Sequence, residues 1–291
     1  MQYRTGVLLV VVAGVLWSLM GLTIRLLDTA TTWQVLFWRP VGMVPVLAAF
    51  VWWRSGGLIG PLRAVGQPGI IGALGLVAAF AGAVYAIQST TIANAVFLFS
   101  ASPFFSAVLG RIFLREQVRP VTWVAIGLAV LGMGIMVRDG ADSGAMSGNI
   151  AAIGSALGFA VFAVTVRWGK LADMLPAVIL GGVISMGVAA VALMVQGQSL
   201  TPPRADIGII VMAGAVILGV GMTLFTVGSR VVPAAEATLL TMLEVILGPV
   251  WVWLLLAETA SAQTFAGGAV VLCAVALNAV TGLRDRQFSP G

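Results

Sequence analysis

Glu244 is the residue with the most chemistry to offer. It lies about eleven residues into the continuous apolar run 234–256, and a helix over that run carries it near the centre of a bilayer. A charged side chain at that depth costs roughly 2.5–3.5 kcal/mol, so this carboxylate should face a cavity, a partner or a proton. Cation recognition and proton coupling are the functional readings. A protonated or hydrogen-bonded Glu that locks neighbouring helices together is the structural one.

The polar groups between positions 85 and 102 form a second set: Tyr85, Gln88, Asn94, Ser100 and Ser102. Asn94 and Ser102 can hydrogen-bond a zwitterion or a neighbouring helix. On an ideal helix Asn94, Phe97, Ala101 and Phe104 share one face, which suits an aromatic ligand and ordinary packing alike. Trp17 and Ser18 lie in the middle of the first apolar run. Trp38, Trp52, Trp53, Trp123 and Trp168 fall near the ends of runs, where an aromatic belt accounts for them; Trp17 does not, which leaves ligand stacking, a cation–π contact or core packing. The candidate substrate-binding or coupling residues are therefore Glu244, Tyr85, Asn94, Trp17, Ser18, Gln88, Ser102 and Phe97. Arg25, Arg39 and Arg167 read as snorkelling anchors, with Pro40 tolerated just inside its helix. A gate salt bridge from Arg25 or Arg39 to Asp28 is the alternative. Glu116 and Glu258 read as structural loop and helix-end residues, with Arg111, Arg115 and Arg119 as partners for Glu116.

Composition removes other chemistries. There is no histidine and a single cysteine, Cys273, so His-based zinc catalysis, an intrachain disulfide and an iron–sulfur cluster are out. No Walker A motif is present. No aspartate sits mid-run, which removes a paired-Asp intramembrane protease. The sequence pI near 10.6 does not imply nucleic acid, because the basic residues flank apolar runs instead of forming an arm.

These candidates must be positioned by membrane helices. Of 291 residues, 60% are hydrophobic and only 9% charged, against about 25% charged in a soluble domain, and the mean hydropathy is +1.09. Continuous rather than alternating apolar runs favour helices over a barrel. The spans are expected at 6–27, 33–53, 68–88, 92–114, 119–137, 148–168, 175–195, 206–228, 234–256 and 263–282, which leaves little room for a soluble domain. The first run is too long for a signal-peptide core and reads as a retained span. With the N-terminus inside, 11 of the 15 Lys/Arg residues lie on the cytoplasmic side and 4 on the other, so both termini are expected in the cytoplasm. The 36 glycines exceed the ~7% of an average chain. Series such as Gly154/Gly158 and Gly181/Ser185/Ala189 provide small faces on which helices approach.

An offset of 142 residues superposes unusual positions. Thr23-Ile24-Arg25 matches Thr165-Val166-Arg167, Trp17 faces Phe159, Ala93 and Ala95 face Ala235 and Ala237, Glu116 faces Glu258, and Thr122-Trp123 faces Thr264-Phe265. Charged residues are rare enough here for the Arg/Arg and Glu/Glu matches to carry weight. Five spans per copy is an odd number, so the second copy must enter the membrane from the opposite side. The fold class is thus an all-α membrane protein of ten transmembrane helices, built as two inverted five-helix repeats over 1–138 and 148–283. Such repeats build many secondary transporters, with the substrate site near the midplane.

With these features the sequence resembles the EamA-type transporters of the drug/metabolite transporter superfamily. The resemblance rests on Ala86-Ile87-Gln88-Ser89-Thr90-Thr91-Ile92-Ala93-Asn94-Ala95, Ser102-Pro103, Leu114-Arg115-Glu116 and Phe37-Trp38-Arg39 at the start of the second span. Where the family has Glu-Pro in the ninth span, this chain has Glu244-Val245 with the proline displaced to Pro249. The resemblance implies export of small amphipathic metabolites, amino acids first and aromatic ones among them, by alternating access. Nucleotide sugars or organic cations are other substrate classes in the superfamily, and a non-transporting membrane subunit is the other class of function. An enzyme is not expected. The expected setting is a monomer in the cytoplasmic (inner) membrane, without a cofactor or metal. Its partners are a small-molecule substrate, the lipid bilayer and protons, and not nucleic acid.

Overall fold

The computed structural model describes residues 2–142, 145–170, 173–232, 237 and 240–287, with the side chains of 139–142 and 282–287 outside that description. The chain runs α1 (Tyr3–Arg25), α2 (Thr32–Ser55), the short α3 (Ile59–Ala64), α4 (Gly66–Ser89), α5 (Ile92–Phe99), α6 (Ser102–Phe113), α7 (Pro120–Asp142), α8 (Met146–Trp168), α9 (Leu175–Val195), α10 (Arg204–Met212), a π-helical stretch (Ala213–Val220), α11 (Gly221–Gly228), α12 (Leu243–Leu256) and α13 (Ala262–Gln287). Among the described residues, nine helical stretches are long and apolar enough to cross a membrane. Two of them are composite: α5 with α6, and α10 with the π stretch and α11. Ten were expected. The remaining one is α12, an apolar helix of 14 residues, about 21 Å long. The expected span 234–256 begins on residues that include 234–236, 238 and 239, outside the described set, as is Ala235 of the repeat match.

Local sequence explains the breaks. Thr31 starts α2 through a reciprocal capping box with Gln34, and Thr91 starts α5 by accepting from the Asn94 N–H at 3.2 Å; each satisfies a backbone donor the helix leaves over. Pro103 has no N–H to give to Phe99 and its ring crowds that carbonyl, so α5 stops at Phe99 and α6 restarts with Pro103 in its first turn. The π stretch lies on α2. A Cβ on Gly214 would fall on the Arg39 carbonyl oxygen, and one on Gly42 on the Val211 carbonyl. Only glycine lets two backbones come that close, and this approach sets the position of Arg39.

The largest helix contacts all run between the two halves of the chain: α4 on α8, α7 on α13, α2 on α9 and on the π stretch, and α1 on α12. Glycines mark the tightest crossings. A Cβ on Gly75 would come within 2.7 Å of the Gly158 carbonyl oxygen, and the converse holds at the same distance. Hydrophobic attraction is weak between helices in lipid, so such close backbone contact is what holds the bundle. The end of α1 and the start of α8 both reach Thr90, between α4 and α5: Arg25 donates to its carbonyl at 2.6 Å, and Thr90 Oγ1 donates to Asn149 Oδ1 at 3.2 Å.

Asp206, at 1% exposure, ties the α1–α2 turn to the start of α10. Its carboxylate accepts from the backbone N–H groups of Asp28, Thr29 and Ala30 at 3.2, 3.2 and 3.1 Å. Asp206→Ala strands these donors and is expected to cost on the order of 3 kcal/mol, with Asp206→Asn intermediate because it keeps one acceptor oxygen. Thermal unfolding of the detergent-purified protein checks the order, and equal midpoints for all three proteins would refute it.

Candidate functional site

A cavity of about 150 Å³ lies where α1, α2, α4, α5, α8, the π stretch and α12 converge. Its polar lining is Arg39, Glu244, Ser18, Ser155 and Trp17, and the rest is apolar or small, including Phe80, Phe99, Ile92 and Ala95. At about 30 Å³ for each water in the liquid, that is the volume of about five waters, comparable to the bulk of a free amino acid. Glu244 stands in the first turn of α12 and makes no ion pair or hydrogen bond among the described residues.

Arg39 is the residue the sequence reading misplaced. It is not a snorkelling anchor: it is 4% exposed and lines the cavity. It stands in the second turn of α2, about 10 Å along the helix from Thr32, too deep for its side chain to reach the interface. Its guanidinium lies 4.6 Å from the centre of the Phe80 ring, and its Nε and Nη2 have no hydrogen-bond partner among the described residues. Trp17 Nε1 is likewise buried and unpartnered. A signal was present in the sequence, since Arg39 lies well inside an apolar run while most other arginines end one.

The other candidates divide. Trp17 and Ser18 line the cavity with Glu244. Ser18 accepts from Trp251 Nε1 at 2.9 Å and donates to the Val15 carbonyl at 2.7 Å, so its hydroxyl fixes α12 to α1. Asn94 and Gln88 line a separate, larger polar vestibule at the Arg25 end of the bundle. The buried Asn94 amide donates to Asn149 Oδ1 at 2.7 Å and Thr90 Oγ1 at 3.3 Å and accepts from Thr264 Oγ1 at 3.3 Å. Gln88 accepts from Thr32 Oγ1 at 2.6 Å and donates to the Ala30 carbonyl at 2.9 Å. Phe97 packs where a Cβ on Gly268 of α13 would fall, so the Asn94/Phe97 stripe faces a helix, and Ile92, Ala95 and Phe99 face the cavity instead. Ser102 is buried without lining the cavity, and Tyr85 is 42% exposed beside Ser147 and Ser89.

Each end of the bundle carries an ion pair between the halves. Arg25 Nε bonds Glu258 Oε2 at 2.8 Å, with Nη2 to Oε1 at 3.3 Å. Glu258 Oε1 also accepts from the Ile92 N–H at 2.8 Å, where the start of α5 favours an anion. At the other end Arg167 Nε lies 3.4 Å from Glu116 Oε1, and Nη2 donates to the Ser106 carbonyl at 3.2 Å. The partner of Arg25 is therefore Glu258 and not Asp28, and the partner of Glu116 is Arg167 and not a neighbouring arginine. Both glutamates follow a residue in the left-handed region, Arg115 at φ 55° and Ala257 at φ 53°. Each donates its N–H to the carbonyl six residues earlier, at 3.2 Å in both cases. The four residues are the Arg/Arg and Glu/Glu matches at offset 142, now joined crosswise.

The model of the EamA-like transporter family matches this chain twice, over residues 4–138 and 146–280. The chain belongs to the EamA-like transporter family. It is a membrane transporter of the drug/metabolite transporter superfamily, with one EamA unit in each half. The pseudopaline exporter CntI of Pseudomonas aeruginosa is 25% identical over 278 residues, covering 93% of this chain and 94% of that protein. A transporter of the same species described as uncharacterized is 28% identical over 134 residues, 45% of each chain. A solved crystal structure shares the fold at TM-score 0.68 and 16% identity, over 97% of this chain and 100% of the other.

The hydrogen bonds of Asn94 make it a tie between α5, α8 and α13. Asn94→Ala should lower the unfolding midpoint by several degrees, through the unpaired partners it leaves, while substrate preference stays the same. A changed preference at unchanged stability would contradict that.

Proposed function

We propose that this transporter exports small amphipathic metabolites, amino acids first and aromatic ones among them, by alternating access through the central cavity. The observation that carries the reading is the pair of crosswise ion pairs, one at each end of a cavity lined by both halves. Breaking one and keeping the other opens the cavity at a single end, which is what alternating access requires. We read the two halves, 1–138 and 148–283, as inverted five-span repeats of a ten-span protein. The end of α1 and the start of α8 bonding the same residue, Thr90, supports this, as does the crosswise pairing of repeat-related residues. Export as the direction is favoured by the name of the relative, an exporter.

The cavity favours amino acids over the other substrate classes of the superfamily. A nucleotide sugar is several times too large for this space, and an organic cation would bring a like charge toward Arg39. We place both termini in the cytoplasm from the distribution of Lys/Arg, and read the protein as a monomer of the inner membrane. Counterflow of radiolabelled amino acids in proteoliposomes tests the reading, and no counterflow across the twenty amino acids would reject it.

Protons are the proposed coupling ion, carried by Glu244. Glu244→Gln should fold normally, transport at least tenfold more slowly and lose the stimulation by a pH gradient. A stable variant with the wild-type rate and pH response would rule out this role.

A further inference from the structure

Four buried side-chain polar atoms have no hydrogen-bond partner among the described residues: Arg39 Nε, Arg39 Nη2, Trp17 Nε1 and Thr226 Oγ1. Three of the four belong to residues that line the central cavity, and all three are donors. Buried donors are nearly always paired, and an unpaired guanidinium within a membrane is costlier still. Stacking on Phe80 at 4.6 Å offsets only part of that cost. What is missing is an acceptor, and an anionic one.

The described residues do not supply it. Of the acidic residues with described side chains, Glu258, Glu116 and Asp173 are paired with Arg25, Arg167 and Arg54. Asp206 is held by three backbone N–H groups, and Asp28 is exposed. Glu244 lines the same cavity without bonding Arg39. The repeat separates these charges by purpose. Arg25 and Glu116 recur at offset 142 as Arg167 and Glu258, whereas Arg39 corresponds to Gly181 and Glu244 to Ser102. The charges of the Arg25–Glu258 and Arg167–Glu116 pairs recur in both halves, whereas the two that face the cavity occur once each.

We infer that Arg39 is the receptor for a carboxylate on the transported molecule, with Trp17 Nε1 as an additional donor and Glu244 facing the amine. The substrate class is a small zwitterion with an apolar side chain. This rests on the transport reading and narrows it. Nε and Nη2 are the adjacent pair with which arginine grips the two oxygens of a carboxylate side-on. The apolar walls at Ile92 and Phe99 take the remainder. A phosphate dianion fits less well, because its extra charge would face Glu244.

The test uses the full-length protein, the twenty L-amino acids and their amides, with 4-methylpentanoate and the phosphonate analogue of leucine as further probes. Binding is read by tryptophan fluorescence and thermal stabilisation, and transport separately by counterflow. The wild type should bind at least one amino acid tenfold or more tightly than its amide. Arg39→Gln should abolish that preference and leave amide binding within twofold, and Arg39→Lys should weaken the amino acid at least tenfold. Glu244→Gln should instead erase the preference for an amino acid over the same skeleton without its amine. The ligand-free unfolding midpoint of Arg39→Gln should not fall, since an uncompensated buried charge has been removed. A folded Arg39→Gln protein with the wild-type acid-to-amide ratio would overturn the assignment, as would a wild type that binds amides or the phosphonate as tightly as amino acids. If Arg39→Gln does not fold, the wild-type ratio and Arg39→Lys still decide. Binding without counterflow would reject the transport reading and keep the receptor; counterflow of amides as fast as acids would do the reverse.

Discussion

A charge inside a bilayer must be paired, hydrated or brought out to the interface, and the structure of this protein follows from how few charges it has and where they go. Arg25 with Glu258 and Arg167 with Glu116 are paired between the halves at opposite ends. Asp206 is spent on a turn. Among the described residues, only Arg39 and Glu244 are left facing the centre without partners of their own. That contrast separates the residues that hold the halves together from those we propose to meet the substrate.

The two ion pairs are suited to being exchanged. At the Arg167 end both side chains are more than two-fifths exposed, which limits the pair to about 0–1 kcal/mol. At the Arg25 end exposure is 26% and 20%, and two further hydrogen bonds, to the Thr90 carbonyl and from the Ile92 N–H, tighten it. Coupling energies of 1–3 kcal/mol shift populations by roughly 5–150-fold. That is enough to bias the bundle toward one state without trapping it. The glycine crossings at Gly75/Gly158 and Gly132/Gly267 supply flat surfaces between the halves, across which helices can tilt without dragging large side chains through each other.

Much of this was legible in the sequence. The apolar runs located nine spans, and the rarity of charge made the offset of 142 visible. What the sequence hid was the pairing across it, since Arg25 and Glu258 are 233 positions apart and nothing local announces their contact. Arg39 was hidden differently. Its place well inside the apolar run was visible, but a long side chain can snorkel from such a position, and only the fold shows it turned into the cavity instead. The Asn94/Phe97 stripe was a true helix face assigned to the wrong neighbour: periodicity says which residues share a side, not which helix or space lies opposite.

The exchange of the two end pairs is tested most directly by pulsed dipolar distances between spin labels in proteoliposomes. One label pair would be placed at Thr29 and Thr259 and the other at Gln117 and Lys170, all exposed positions beside the ion pairs, in a Cys273→Ala background. Glu258→Gln should lengthen the first distance and leave the second short, and Glu116→Gln should do the opposite. Simultaneous widening of both ends in either variant, or no change in both, would contradict exchange between them.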